Sequence, residues 1–264
     1  MTRRLIPLAL VATVVVPMLS IAAPVAAQTN ADFRWSKALP AGNEVEARNV
    51  SGDITIVPST SGKVEVVGRK RGRGDVDLLT AHVDESSHGI VVCVLYDDPN
   101  GSCDDNHSSR HRDFRDARMD FEISVPTNLQ VSASSVSGDV SITGAQGDVE
   151  ATSVSGDVKL LDLRANSVTA HSVSGDVDVR VNQLTGRGDL EFHTVSGDVN
   201  LTLPSQLDAD ISMSTVSGDL NSDFPITLSN GRMNRRRIEA QIGKGGRRLQ
   251  LETVSGDVRI KKSN

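Results

Sequence analysis

Seven aspartates in this 264-residue chain stand in the same local setting. Asp53, Asp139, Asp157, Asp176, Asp198, Asp219 and Asp257 each close the run Val-Ser-Gly-Asp. A carboxylate that recurs in one setting offers two kinds of chemistry, acid–base work or a ladder of oxygen ligands for a hard cation. From the second copy on, the glycines of the run are Gly138, Gly156, Gly175, Gly197, Gly218 and Gly256, separated by 18, 19, 22, 21 and 38 positions. Periods of that size belong to repeats that stack on one another. Stacking puts Asp139, Asp157, Asp176, Asp198 and Asp219 in one column, where like charges repel and calcium would relieve the repulsion. Calcium-binding β-rolls, however, use a different and shorter glycine-rich repeat.

The same residues also have a structural duty. Glycine, beginning with Gly52 in the first copy, turns through positive φ without a steric penalty. Ser or Asp beside it bonds nearby backbone N–H groups and completes a corner. Corner chemistry accounts for every residue of the run, so the corner is the reading favoured over the calcium ladder.

What positions these corners is a set of short alternating runs. Val140 and Ile142 share one face, as do Val149 and Ala151, Val158 and Leu160, Val168 and Ala170, and Val177, Val179 and Val181. Later units repeat the pattern with Leu190 and Phe192, Val199, Leu201 and Leu203, and Ile211 and Met213. Strict alternation over short runs predicts strands with one buried face. One such coil cannot bury its apolar face alone, whereas stacked coils share a narrow interior. The fold expected is therefore all-β, a β-solenoid of 18–22 residues per coil. Seven or eight coils at about 4.8 Å each make a stack about 35 Å tall. The step of 38 reads as two ordinary steps, one coil having lost its signature. A hydroxyl precedes each valine, at Ser135, Ser153, Ser172, Thr194, Thr215 and Thr253. Counting back from the corner puts these hydroxyls outward and the valines inward, which makes the hydroxyl column a candidate glycan- or ice-binding face.

Residues 58–125 break the repeat. "KVEVVGRK", "DLLTAHVD", "GIVVCVLY" and "MDFEISVP" read as antiparallel strands forming a small subdomain against the first coils. Phe33 and Trp35 are large enough to plug an open end. Cys93 and Cys103 flank a Pro99-Asn100-Gly101 turn, and a disulfide closing that loop contributes roughly 2–3 kcal/mol by the loop-entropy model. In the charged loop that follows, His107, His111, Asp104, Asp105 and Asp113 carry zinc-ligand side chains, but mixed charge of this kind is the ordinary composition of a solvated loop. Arg73-Gly74-Asp75 and Arg187-Gly188-Asp189 spell an adhesion tripeptide inside what is already turn grammar. Near the end, Arg235, Arg236, Arg237, Lys244, Arg247, Arg248, Lys261 and Lys262 gather positive charge, a candidate contact for anionic lipid or envelope polymer.

The first residues set the compartment expected. Arg3 and Arg4 precede an apolar run, and Val25-Ala26-Ala27 offers a signal-peptidase site, so residues 1–27 read as a secretory signal. Residues 28–125 then hold the first coil, cap and disulfide loop, and 126–264 the repeat. No later segment is apolar enough to cross a bilayer as a helix. A net charge of −6 argues against nucleic acid as a partner. No Ser-His-Asp arrangement, phosphate loop or paired acids with adjacent bases emerges, so no catalytic residues, enzyme activity or cofactor are expected.

The repeated units and the closing segment "GKGGRRLQLETVSGD", Gly243 to Asp257, resemble the bacterial "putative adhesin" family, a domain of unknown function. The resemblance covers roughly residues 40–262. It implies a β-solenoid exported to the cell envelope or surface, with an envelope polymer, glycan or protein as partner and no catalytic residues.

Overall fold

The computed structural model describes residues 32–73, 76–98, 100–104 and 117–263, leaving out the side chains of 229–233. The proposed signal segment 1–27 lies outside the described residues. The regular elements of the described chain are all strands, apart from one short 3-10 turn at Val76–Leu78, and these strands join a single 20-stranded sheet. No helix among the described residues is long and apolar enough to cross a membrane.

Each Val-Ser-Gly-Asp run is a corner between two parallel ladders. The strands entering the corners stack in the order Glu44–Ser51, Gln130–Ser137, Gln146–Ser155, the later part of Val158–Ser174, Leu190–His193, Arg247–Glu252 and Ala209–Ser214. The strands leaving them stack as Ile54–Pro58, Val140–Thr143, the first residues of Val158–Ser174, Val177–Leu184, Val199–Leu203, Val258–Lys262 and Leu220–Ser222. In the middle coils Gln146, Arg164 and Gln183 pair across a short third ladder. The interior is a thin stack of Val, Ala, Leu and Ile, with Phe121 and Phe192 among its largest fully buried side chains. Such a core suits strands only one coil apart.

The order of stacking corrects one expectation. The coil of Asp257 sits between those of Asp198 and Asp219, so the 38-residue step is not a coil with a lost signature. After Asp219 the chain makes a hairpin of Thr227–Asn234 and Arg237–Ile242, whose second strand runs antiparallel to Ala209–Ser214. Arg247–Glu252 then slots back between Leu190–His193 and Ala209–Ser214. The antiparallel hairpin thereby covers an edge that a simple solenoid leaves open.

The other end is covered the same way. Gly89–Tyr96 and Arg118–Val125 extend the two ladders by one parallel layer. Leu79–Glu85 and Val64–Arg71 pair with them antiparallel, and Phe33–Lys37 adds outside the latter. The strands of 58–125 thus do pair antiparallel, but they continue the solenoid's own ladders. Phe33 and Trp35 pack against the core from the outermost strand.

A second correction concerns which side chains of the corner face in. The six hydroxyl residues are buried, none more than 4% exposed, while the valines after them are 38–56% exposed. The upstream strand sets the phase. Val149, Ala151 and Ser153 share one parity, so Val154 points out, and the glycine resets the alternation before Val158. Each buried hydroxyl donates to the glycine carbonyl of the neighbouring coil: Ser153 to Gly138 at 3.0 Å, Ser172 to Gly156 at 3.0 Å, Thr194 to Gly175 at 2.9 Å and Thr253 to Gly197 at 2.9 Å. Ser135 and Thr215 do the same to Gly52 and Gly256. Asn49 holds this position in the first coil, and its amide serves both the Gly52 and Met119 carbonyls.

The glycines permit this closeness. Gly175 has φ of +155°, and a Cβ there would lie 2.2 Å from the Gly156 carbonyl oxygen. Gly138, Gly156, Gly197, Gly218 and Gly256 meet the carbonyl of the adjoining corner glycine in the same way, and Gly52 meets that of Met119. We expect Gly175→Ala to destabilise by about 4 kcal/mol. Gly147→Ala, at φ +87° with nothing within 4 Å, should cost only the backbone term of about 1–2 kcal/mol. Urea unfolding midpoints of the two variants check the contrast. Thr194→Val should lose about 1–3 kcal/mol by stranding the Gly175 carbonyl, and Thr194→Ser should keep the bond and lose less. Equal, near-zero losses in the Thr194 pair would return the hydroxyls to the surface.

Candidate functional site

The aspartate column is the most regular polar feature of the described chain. One carboxylate oxygen of each Asp except Asp219, the last in the stack, accepts the backbone N–H of the Asp in the next coil. Asp53 accepts from Asp139 at 3.0 Å, Asp139 from Asp157 at 2.9 Å, Asp157 from Asp176 at 3.0 Å and Asp176 from Asp198 at 2.8 Å. The ladder continues from Asp198 to Asp257 and from Asp257 to Asp219, each at 2.8 Å, with Asp120 starting it below Asp53. The five aspartates proposed as a calcium ladder are thus brought into one column, with Asp257 interposed before Asp219.

The repulsion expected along that column meets donors and cations. Lys159 Nζ lies 3.1 Å from the second oxygen of Asp157, and Arg259 bridges Asp198, at 2.8 Å, and Asp257. The Asp176 amide, helped by Lys159 and opposed by burial, holds the Asp157 carboxyl below the ordinary range. The Asp257 amide, opposed by burial and helped by Arg259, does the same for Asp198. Among the described residues no three His, Cys, Asp or Glu side chains are gathered to hold a metal ion. In the proposed zinc cluster Asp104 bonds Arg48 at 3.2 Å, while Asp105, His107, His111 and Asp113 lie outside the described residues.

Cys93 and Cys103 are joined as a disulfide, with Cα atoms 5.7 Å apart. The bond forms one wall of a cavity of about 200 Å³, opposite Arg48, Asn49 and Val50 of the first coil. Asp84 anchors the loop by accepting from the Cys103 amide at 2.6 Å and the Ser102 hydroxyl at 3.0 Å. Burial works to raise the Asp84 carboxyl, and those two donors with His82 outweigh it and hold it low.

The basic cluster near the C-terminus does not form one surface. Arg247 is only 5% exposed and donates to the backbone carbonyls of Asn166, at 2.6 Å, Gly186 and Gly188. It shares the parity of Leu249 and Leu251, so the strand turns it inward, where it ties the turn at 185–189 to the strand Val158–Ser174. This removes Arg247 from the proposed anionic contact. Arg237 pairs with Glu239 at 2.8 Å, while Arg235, Arg236 and Arg248 are exposed. Of the two adhesion tripeptides, Arg187-Gly188-Asp189 lies in the turn that Arg247 holds, and Gly74 and Asp75 lie outside the described residues.

Sequence reasoning missed the row of exposed valines, Val50, Val136, Val154, Val173, Val195, Val254 and Val216, along the outside of the corners. The parity of Val149, Ala151 and Ser153 was the signal that locates it.

The lowered carboxyls tie stability to pH. Folded pKa values of Asp157 and Asp198 below their unfolded values mean that their contribution is fully present above the ordinary Asp value of about 3.9. It is lost as pH falls through the folded values. The melting temperature should therefore hold from neutrality to about pH 5 and fall steeply below about pH 4. Asp157→Asn combined with Asp198→Asn should flatten the acid limb. An acid limb unchanged by both substitutions would contradict the assignment.

No curated protein matches the chain. Among solved structures, a "putative cell adhesion protein" from Clostridium sporogenes aligns with a TM-score of 0.49 at 11% identity, over 88% of this chain and 99% of that one. A "putative adhesin" from Bacteroides fragilis aligns with a TM-score of 0.42 at 16% identity, over 88% of this chain and 96% of the other. The model of the Toastrack DUF4097 family matches residues 38–261, which takes in both ladders to within one residue of their end and every cap strand except Phe33–Lys37. On that match, the chain belongs to the Toastrack DUF4097 family.

Proposed function

We propose that the protein is a non-enzymatic, exported module of the cell envelope or surface that binds or scaffolds an envelope polymer, glycan or protein. One observation carries the reading. The repeated residues are engaged in holding the stack, as the hydroxyls bond glycine carbonyls and the aspartates bond backbone amides. What the coils offer outward is therefore not seven copies of a site but extended strand faces. Broad faces built from stacked units are the surfaces repeat proteins use for binding. Export rests on the charge, apolar run and cleavage residues of the first 27 positions.

A calcium-dependent module is the competing reading of the aspartate column. It is disfavoured by the amide on one oxygen of every ladder Asp except the terminal Asp219 and the cations on the second oxygens of Asp157, Asp198 and Asp257. A melting curve of the mature protein in chelator and in calcium separates the two. Calcium at 100 times its Kd would add roughly 2.7 kcal/mol by linkage. We expect superimposable curves, together with retention of the mature protein on isolated cell envelope in both buffers. Retention only with calcium would favour the ion module, and no retention in either buffer would remove the binding role.

A further inference from the structure

The outer face of the strands that leave the corners carries a groove of about 440 Å³ across four coils, between Lys159 and Lys261. Its floor follows the register. Arg180 lies opposite Thr202, and Thr202 opposite Lys261, so the three side chains form a row along the stack. A β-bulge opens one end of it. Leu160 pairs with Val179 and Leu163 with Val181, so Leu161 and Asp162 stand against Arg180 alone. Asp162 adopts the left-handed φ of 57° that this bulge requires, and its carboxylate accepts from Asn182 at 3.2 Å. Bulges of this kind mark places where a strand re-aims its side chains, often beside a binding site.

Two of the three cations lining the groove are not consumed by the fold. Among the described residues no ion pair holds Arg180 or Lys261, in contrast to Lys159 and Arg259, which the corner aspartates engage. Asp178, the carboxylate in the groove lining, accepts from the Asn200 amide at 3.0 Å. Positive charge along the groove thus accompanies hydroxyl and amide groups, the amide-bonded Asp178 and the aliphatic Leu161. That combination suits a polymer with both hydroxyls and anionic groups. Arg180 and Lys261 lie two coils apart, about 9–10 Å at the spacing of neighbouring strands. An extended chain of pyranose rings advances by about that distance every second ring.

Building on the reading of the chain as an envelope binding module, we infer that this groove binds an acidic polysaccharide carrying one anionic group per disaccharide, with Arg180 and Lys261 meeting successive charges. The axis of the polymer follows the stack, and the coil repeat sets the register. Attraction between exposed charges makes the binding salt-sensitive.

The test titrates the mature protein with hyaluronan as the acidic disaccharide polymer. Neutral cello-oligosaccharide and phosphatidylglycerol vesicles serve as the other probes. Arg180→Gln combined with Lys261→Gln should weaken hyaluronan binding at least about tenfold without moving the melting temperature, since both side chains are exposed. Lys63→Gln, at the other end of the stack, should leave binding unchanged, and the cello-oligosaccharide should not compete. Undiminished binding by the double variant would overturn the site, as would binding to the vesicles alone. Absence of hyaluronan binding with retention on isolated envelope would overturn the groove and leave the general binding role standing. Failure on both would remove the two together.

Discussion

The close contact of one corner glycine with the next is the constraint on which the rest of the fold depends. At Gly138, Gly156, Gly175, Gly197, Gly256 and Gly218 the backbone turns through φ of +151° to +157° against the carbonyl of the adjoining corner. Only a residue without Cβ fits there, because a methyl group would lie 1.9–2.3 Å from that oxygen. Once the glycines are in contact, the buried hydroxyl reaches the same carbonyl and the carboxylate reaches the next amide. The two ladders then run in register from one cap to the other. The six buried hydroxyls are affordable here because each finds its partner in the neighbouring coil.

This arrangement explains the composition. A core one coil deep between two ladders is filled by Val, Ala, Ile and Leu, and its polar atoms lie at the corner where they can be paired. It also explains why the column of carboxylates does not behave as a string of unpaired charges. Amide donors run its length, and Lys159 and Arg259 stand beside it. Polar regularity of this kind looks like a multiplied active site in sequence and works as a seam in three dimensions.

The solenoid was legible because period-two runs and a recurring glycine corner are local signals. The disulfide was legible for the same reason, since Cys93 and Cys103 flank their own turn. What escaped were relations between distant segments. Nothing near Asp257 signals that its coil enters between those of Asp198 and Asp219, because pairing order depends on the return of the chain after the 227–242 hairpin. Arg247 looked like part of a basic surface until its strand phase turned it inward, where three carbonyls receive it. The phase of the corner itself was available: Val149, Ala151 and Ser153 already run in step, and reading upstream from the strand rather than back from the glycine puts Ser153 inside and Val154 outside. The groove along Arg180 and Lys261 depends on register across coils, which no single repeat contains.

The central claim is that the Val-Ser-Gly-Asp run is a seam held by its own backbone rather than an ion site. Amide hydrogen exchange at Asp157, Asp176, Asp198 and Asp257, followed with and without calcium, tests it most directly. These amides donate to carboxylates one coil away, so they should exchange slowly and at the same rate in chelator as in calcium. Fast exchange in chelator, with protection appearing only when calcium is added, would contradict the account.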